Sequence, residues 1–209
     1  MAASSARQEN HMKTVDYYYD FVSPFAYLAL TQIPRLMKEY ADVAEFRGHA
    51  FNMWEARLAA GNTGPSNREM PRRLKVLMAD ANRYAKRYGV PLKQTVSFDA
   101  QRLNRGVYVA RDMGKEIEYV TTVNNGAWGS GGDIANPAFM DECVSKIGLD
   151  PEAFAKAVDS EENLARYEKE NQDAQARGVF GAPTFVVDDE IFWGNDRIVW
   201  VEDYLRGRI

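Results

Sequence analysis

Among its 209 residues the chain has one cysteine, Cys143, and two histidines, His11 and His49. A single thiol closes no internal disulfide, and such cysteine usage suits a reducing compartment, so a cytoplasmic protein is expected. Two isolated histidines without a Cys/His cluster provide no zinc-binding spacing. Ser-His-Asp catalysis would have to rest on His49, which lies in the strand-like run 44–51 and reads as a packed or exposed strand residue, not a base. No apolar run approaches the roughly 20 residues that span a bilayer, so no membrane span is expected. Positive charge is not in excess either. With 26 Lys plus Arg against 30 Asp plus Glu, the net charge of -4 argues against a general nucleic-acid binder. Internal repeats and low-complexity tracts are lacking as well.

What is present is enough for one large domain, or a domain with an insertion. Residues 1–11 have no apolar h-region and read as a leader ahead of a natural start at Met12, outside the fold. The β-branched and aromatic run 15–19 predicts a strand, residues 24–40 a helix, and 43–51 a second strand, together a right-handed βαβ crossover. Residues 52–67 read as a turn-rich loop around Gly61-Asn62-Thr63-Gly64-Pro65-Ser66. Apolar 3/4 spacing from Leu74 to Tyr88 predicts a long helix that Gly89 stops. After an irregular stretch over 94–103, helical patterns cover 108–113, 119–128, 137–147 and 151–158. Residues 126–133 break them with four glycines and Trp128, a surface loop or a wall of a substrate pocket. A helix over 161–177 ends at Gly178. A strand follows to Val187, Asp188-Asp189 turns the chain, residues 190–193 return, and Gly194-Asn195-Asp196 caps a helix over 197–206. The expected class is α/β: a thioredoxin-like fold whose βαβ and ββα halves (12–52 and 178–209) flank an all-helical insertion (53–177).

Three places carry chemistry. Ser23 before Pro24 is an N-cap followed by N1, which aims a hydroxyl at a helix N-terminus and suits a thiolate or a phosphate. Ala182-Pro183 opens a strand, where a cis bond would turn the Ala182 backbone toward a bound peptide. Asn195-Asp196 repeats the cap logic and could hold an amino-acid head. Cys143, in an amphipathic stretch, reads as a buried and inert thiol.

Asp20-Phe21-x-Ser23-Pro24-Phe25-Ala26-Tyr27-Leu28, Gly61-Asn62, Arg177-Gly178-Val179-Phe180-Gly181-Ala182-Pro183-Thr184-Phe185 and Phe192-Trp193-Gly194-Asn195-Asp196-Arg197 carry a resemblance over essentially 12–205. The chain resembles the 2-hydroxychromene-2-carboxylate isomerases, which are similar to kappa-class glutathione transferases and DsbA-like oxidoreductases. The resemblance implies a homodimer that binds glutathione and acts on a small aromatic carboxylate. It implies that Ser23, flanked by Pro24 and Phe25, holds the glutathione sulfur, and that Asn62 lines the site. Ala182, with Pro183, would pair the cysteinyl part, and Asn195 with Asp196 the γ-glutamyl end. Redox relatives have Cys-x-x-Cys where this chain has Ser23 and Ala26, so dithiol exchange is excluded. The implied reaction is cis-trans isomerisation by reversible thiolate addition. A kappa-like glutathione transferase and a redox-inactive peptide-binding module are the alternatives. Where the family usually places Phe-Lys before its Gly-Asn, this chain has Arg57-Leu58, and Val76 stands where a tyrosine is often found. Both differences fall on the substrate side. One of Arg57, Arg68, Arg72, Arg73 or Arg83 could clamp a substrate carboxylate, and the sequence singles out none.

Overall fold

Lys13–Tyr19 forms β1, the strand on which the sheet is assembled; the computed structural model describes residues 12–209, and the leader expected over 1–11 lies outside them. Side chains alternate across the pleat, so Val15 and Tyr17 face one layer while Asp16 and Tyr18 face the other. The chain leaves β1 through α1 (Pro24–Leu30) and α2 (Ile33–Glu39) and returns as β2 (Ala44–Ala50), parallel to β1 with Lys13 opposite Ala44 and Tyr19 opposite Ala50. The single helix expected over 24–40 is therefore two. Pro34 has no N–H for the carbonyl four residues back, and its ring crowds that position, so the helix restarts with proline in its first turn.

All the helices between β2 and β3 belong to the insertion. α3 (Met53–Ala59) occupies a stretch expected to be loop, because the Asn52 side chain accepts from the N–H groups of Trp54 and Glu55 and caps it. α4 (Pro71–Tyr88) ends as expected at Gly89, whose φ of 70° is costly for a residue with a Cβ. α5 (Gln101–Asp112), α6 (Glu116–Asn124), α7 (Pro137–Lys146), α8 (Pro151–Val158) and α9 (Glu161–Ala176) follow. Residues after α6, read as a surface loop or a pocket wall, form a π-helical turn, Asn125–Gly129, which carries Trp128 inward until it is 1% exposed. The chain closes with β3 (Thr184–Val187), β4 (Glu190–Trp193), a 3-10 turn over Asn195–Arg197 and α10 (Ile198–Leu205). Asn195 and Asp196 sit within that turn, and neither side chain caps the final helix.

The sheet order is β2-β1-β3-β4, with β3 antiparallel to both of its neighbours. On one face Val15, Phe46, Phe185 and Val187 pack against Ala29, Ile33 and Leu36 of α1 and α2 and against Ile198 and Val201 of α10. On the other, Tyr18, Phe51 and Val186 merge with the insertion through Leu103, Val107, Tyr119, Trp128 and Phe154 in one hydrophobic cluster. Each fully buried large apolar side chain there contributes roughly 1.5–3 kcal/mol, so the insertion shares the core of the sheet. α1 lies at the seam, with Ala26, Tyr27 and Leu28 in one cluster and Ala29 in the other.

His49 is a half-buried strand residue whose partners are charged. Its ring stacks on Tyr18 at 4.8 Å, Nε2 lies 3.0 Å from Asp16, and Nδ1 lies 3.1 Å from Glu170 of α9. Only the imidazolium donates from both nitrogens. Burial opposes that charge, yet the two carboxylates outweigh it and raise the His49 pKa above the ordinary histidine value. Asp16 and Glu170 are held below theirs; burial works against this at both, and His49, helped at Asp16 by Arg177, prevails. A raised histidine stabilises the fold fully below its unfolded pKa of about 6.5 and loses that contribution as pH rises through the folded value. The lowered carboxylates contribute above about 4–4.5 and lose it as pH falls through their folded values. His49→Gln is therefore expected to lower the melting temperature by roughly 2–8 °C near pH 6, for a loss of about 1–2 kcal/mol. Melts repeated toward pH 9 should show the gap closing; a gap independent of pH would mean that the ring acts through packing alone.

Candidate active site

Between the start of α1 and the insertion lies a cavity of about 1010 Å³, bounded by Ser23, Pro24 and Phe25, by Asn62 and Arg68, by Leu74 and Met78 of α4, and by Trp128, Gly181 and Ala182. It is the junction the fold places at the seam of the two halves. The turn that leads into it is set from beneath by Asp20. This buried carboxylate accepts from the N–H of Val22 at 3.1 Å, from Met53 N–H at 3.0 Å and from Asn104 Nδ2 at 3.0 Å. Burial pushes the Asp20 carboxyl pKa up despite these donors. Trp128 Nε1 donates to the Phe21 carbonyl at 2.7 Å, and Tyr27 of α1 donates to the Pro91 carbonyl at 2.7 Å, so both ends of the turn are tied to the insertion.

Ser23 caps α1 as the sequence implies, accepting from Ala26 N–H at 3.2 Å. Its hydroxyl proton is donated to the Ala182 carbonyl at 3.0 Å, across 159 residues of sequence. The Ala182-Pro183 bond is cis. The carbonyl of Ala182 is thus engaged within the protein, and its N–H is the group that has no acceptor among the described residues. Next to it Gly181 is required by close approach: a Cβ there would lie 2.5 Å from Trp193 Nε1. Trp193 packs on Phe180 with ring centroids 4.7 Å apart, and both line the cavity.

Asn62 also lines the cavity and is held by Arg57, whose Nη2 donates to Asn62 Oδ1 at 3.2 Å, to Pro65 O at 3.3 Å and to Gly64 O. Asn195 and Asp196 do not border the cavity. Asn195 is buried with Oδ1 accepting from Tyr88 at 3.4 Å, while its Nδ2 is buried without a partner. Asp196 is about half exposed, 3.6 Å from Arg197. Cys143 is 2% exposed in α7, away from the cavity, and burial pushes its thiol up to about 11. Of the arginines considered, Arg57, Arg68 and Arg73 reach the cavity. Sequence reasoning missed Asn104 and left Trp128 unresolved. An asparagine amid the apolar positions of α5 is the one signal that pointed to Asn104.

Among the described residues no helix is long and apolar enough to cross a membrane. Residues 14–206 match the family of DSBA-like thioredoxin domains. The chain is 42% identical over 193 residues to a 2-hydroxychromene-2-carboxylate isomerase of Sphingobium xenophagum, covering 92% of this chain and 98% of that one. A protein of the same name from Pseudomonas putida is 36% identical over 198 residues, with 93% and 95% covered. A solved structure of a 2-hydroxychromene-2-carboxylate isomerase superposes with a TM-score of 0.85 at 35% identity, covering 93% of this chain and 95% of that one.

Proposed function

Because the chain belongs to the DSBA-like thioredoxin family, and within it to the 2-hydroxychromene-2-carboxylate isomerases, we propose that it is a glutathione-dependent cis-trans isomerase. Its substrate would be 2-hydroxychromene-2-carboxylate or a close aromatic analogue, and its product the trans-o-hydroxybenzylidenepyruvate isomer. One observation carries the glutathione requirement. Ser23 stands at the cavity where a thiol would be useful, and the protein's own thiol, Cys143, is buried elsewhere with its pKa raised. The nucleophile must come from outside.

When bound, glutathione would supply a thiolate that adds reversibly to a conjugated alkene, which lowers the bond order and permits rotation. The chain's residues fit that guest at its sulfur and cysteinyl end. Ser23 can turn its hydroxyl from the Ala182 carbonyl toward a sulfur, and that donor favours thiolate over thiol. The unpartnered Ala182 N–H can pair a backbone carbonyl, as at the edge of a sheet. In this reading Asn195, whose buried Nδ2 has no partner and would have to be uncovered, and the half-exposed Asp196 are donor and acceptor for a γ-glutamyl head, although neither borders the cavity. Phe25, Met78 and Trp128 give the cavity an apolar wall for an aromatic ring.

The test is an assay of thiol-free protein with and without glutathione, following isomer and free thiol together. Turnover that needs glutathione and leaves the thiol concentration constant is expected. Stoichiometric loss of thiol would make the protein a transferase, full activity without glutathione would remove the cofactor, and no calorimetric heat with glutathione would favour a peptide-binding module.

A further inference from the structure

We propose that Arg68 is the residue that receives the substrate's carboxylate, an assignment that rests on the isomerase reading for the identity of the substrate. Three arginines border the cavity, and their surroundings separate them. The Arg57 guanidinium stacks over Trp54 at 4.8 Å and sends Nη2 into the Asn62 to Pro65 turn, so it shapes the loop. Its Nη1 is buried without a partner, which makes it the rival. Arg73 is exposed, as Arg68 is, but among the described residues its one polar contact is with the Met70 sulfur at 3.8 Å, on its own helix end.

Arg68 is placed differently. Its guanidinium carbon lies 3.1 Å from the centroid of the Phe98 ring, which fixes the plane of the group against the wall. Nη2 donates to the Val22 carbonyl at 3.3 Å, the peptide immediately before Ser23. That is the one hydrogen bond the side chain makes among the described residues, and it has no carboxylate partner in an ion pair. Four of the five donors of a guanidinium thus stay available, in the fork geometry that matches a carboxylate. Arg68 as a whole is exposed, yet the packing around its guanidinium lowers its pKa to about 10, with the buried Asp20 charge opposing the drop. A cation in such surroundings gains more from an arriving anion than one in bulk water. Its position on Val22 puts an acid's carboxylate beside the turn that presents Ser23, and a conjugated chain attached to that carboxylate extends across the same cavity. The geometry also selects for flat acids, because Phe98 continues the stacking surface on which the guanidinium lies.

The binding test needs no turnover. Chromone-2-carboxylate, a flat and unreactive aromatic acid, and uncharged chromone are titrated calorimetrically into the wild type and into the R68Q, R68K and R57Q variants, with melting curves to confirm folding. R68Q should weaken the acid by ~10–100-fold and leave chromone within about twofold. R68K should recover part of the loss, since it restores charge without the fork, and R57Q should keep the acid's advantage over chromone. Unchanged affinity of R68Q for the acid, equal loss of both ligands, or loss of the acid's advantage in R57Q alone would overturn the assignment. A wild type that does not prefer the acid to chromone would overturn it too. Turnover is measured separately: an acid that binds through Arg68 without glutathione-dependent isomerisation refutes the proposed activity and leaves this site standing.

Discussion

Replacing Ser23 by alanine should lower glutathione-dependent turnover by roughly 10²–10³-fold, the loss seen when one aimed donor to a developing anion is removed. The hydroxyl makes two bonds in the structure, accepting from Ala26 N–H and donating to the Ala182 carbonyl. Losing the cap and the bond to the Ala182 carbonyl destabilises by about 1.5–2.5 kcal/mol, and a melting temperature lower by roughly 3–10 °C should register it. Assays run well below the melting transition keep the variant folded, so the two effects separate. Removing a donor to the thiolate also raises the pKa of the bound thiol. The rising limb of the pH-rate profile should therefore move to higher pH, and activity should partly recover there. A variant whose profile keeps its wild-type position would show that Ser23 only caps its helix and pins the Ala182 strand.

Asn104→Ala is expected to destabilise the fold by about 2–4 kcal/mol or roughly 4–16 °C. Asn104 is 1% exposed, and its Nδ2 reaches the Asp20 carboxylate at 3.0 Å, the Phe51 carbonyl at 3.1 Å and the Tyr167 hydroxyl at 3.3 Å. Its Oδ1 accepts from Phe21 N–H at 3.4 Å. Alanine would strip a donor from a buried carboxylate and leave the Phe51 carbonyl without that partner. The penalty depends on charge at Asp20. Because the folded pKa of Asp20 lies above its unfolded value, the ionised group weakens the fold as pH rises through that interval, and losing Asn104 raises the folded value further. The deficit of the variant should accordingly be larger at pH 7 than at pH 4.5. Asp20→Asn in the same background tests the cause, since a neutral amide removes the charge that Asn104 serves; the double-mutant cycle should show coupling above 0.5 kcal/mol, whereas simple additivity would locate the damage in packing alone.

Where structure is local, the sequence was readable. β-branched and aromatic runs announced β1, and Gly89 and Gly178, with φ of 70° and 81°, marked two helix ends. The Ser23 cap and the Ala182-Pro183 entry to β3 were visible because each is a short motif. The break before α2 was not, since the apolar spacing of Leu28, Ile33 and Leu36 continues across Thr31-Gln32 as if one helix ran through. α3 was hidden by the glycines and proline that follow it, which pull a window of residues toward loop. Trp128 among glycines looked exposed because glycine-rich stretches usually are, and only the acceptor at Phe21, over a hundred residues earlier, shows why it turns inward. Asn195 looked like a cap, yet Tyr88 takes its side-chain oxygen. Arg68 could not be told from its neighbours, because the distinction lies in Phe98 and Val22, neither of which is near it in sequence.

The bond between Ser23 and Ala182 also sets an order of events during synthesis. At ~5–20 residues per second, the 159 positions between them occupy a ribosome for about 8–30 s. Throughout that time β1 can pair with β2, but the edge that β3 will cover stays open, and the insertion must bury its helices against an unfinished sheet. A nascent chain arrested in the insertion beyond Arg68 already carries Ser23, Asn62 and Arg68 while lacking the strand that closes the pocket behind them. The cavity therefore gains its Ala182 side only after the whole insertion has been made.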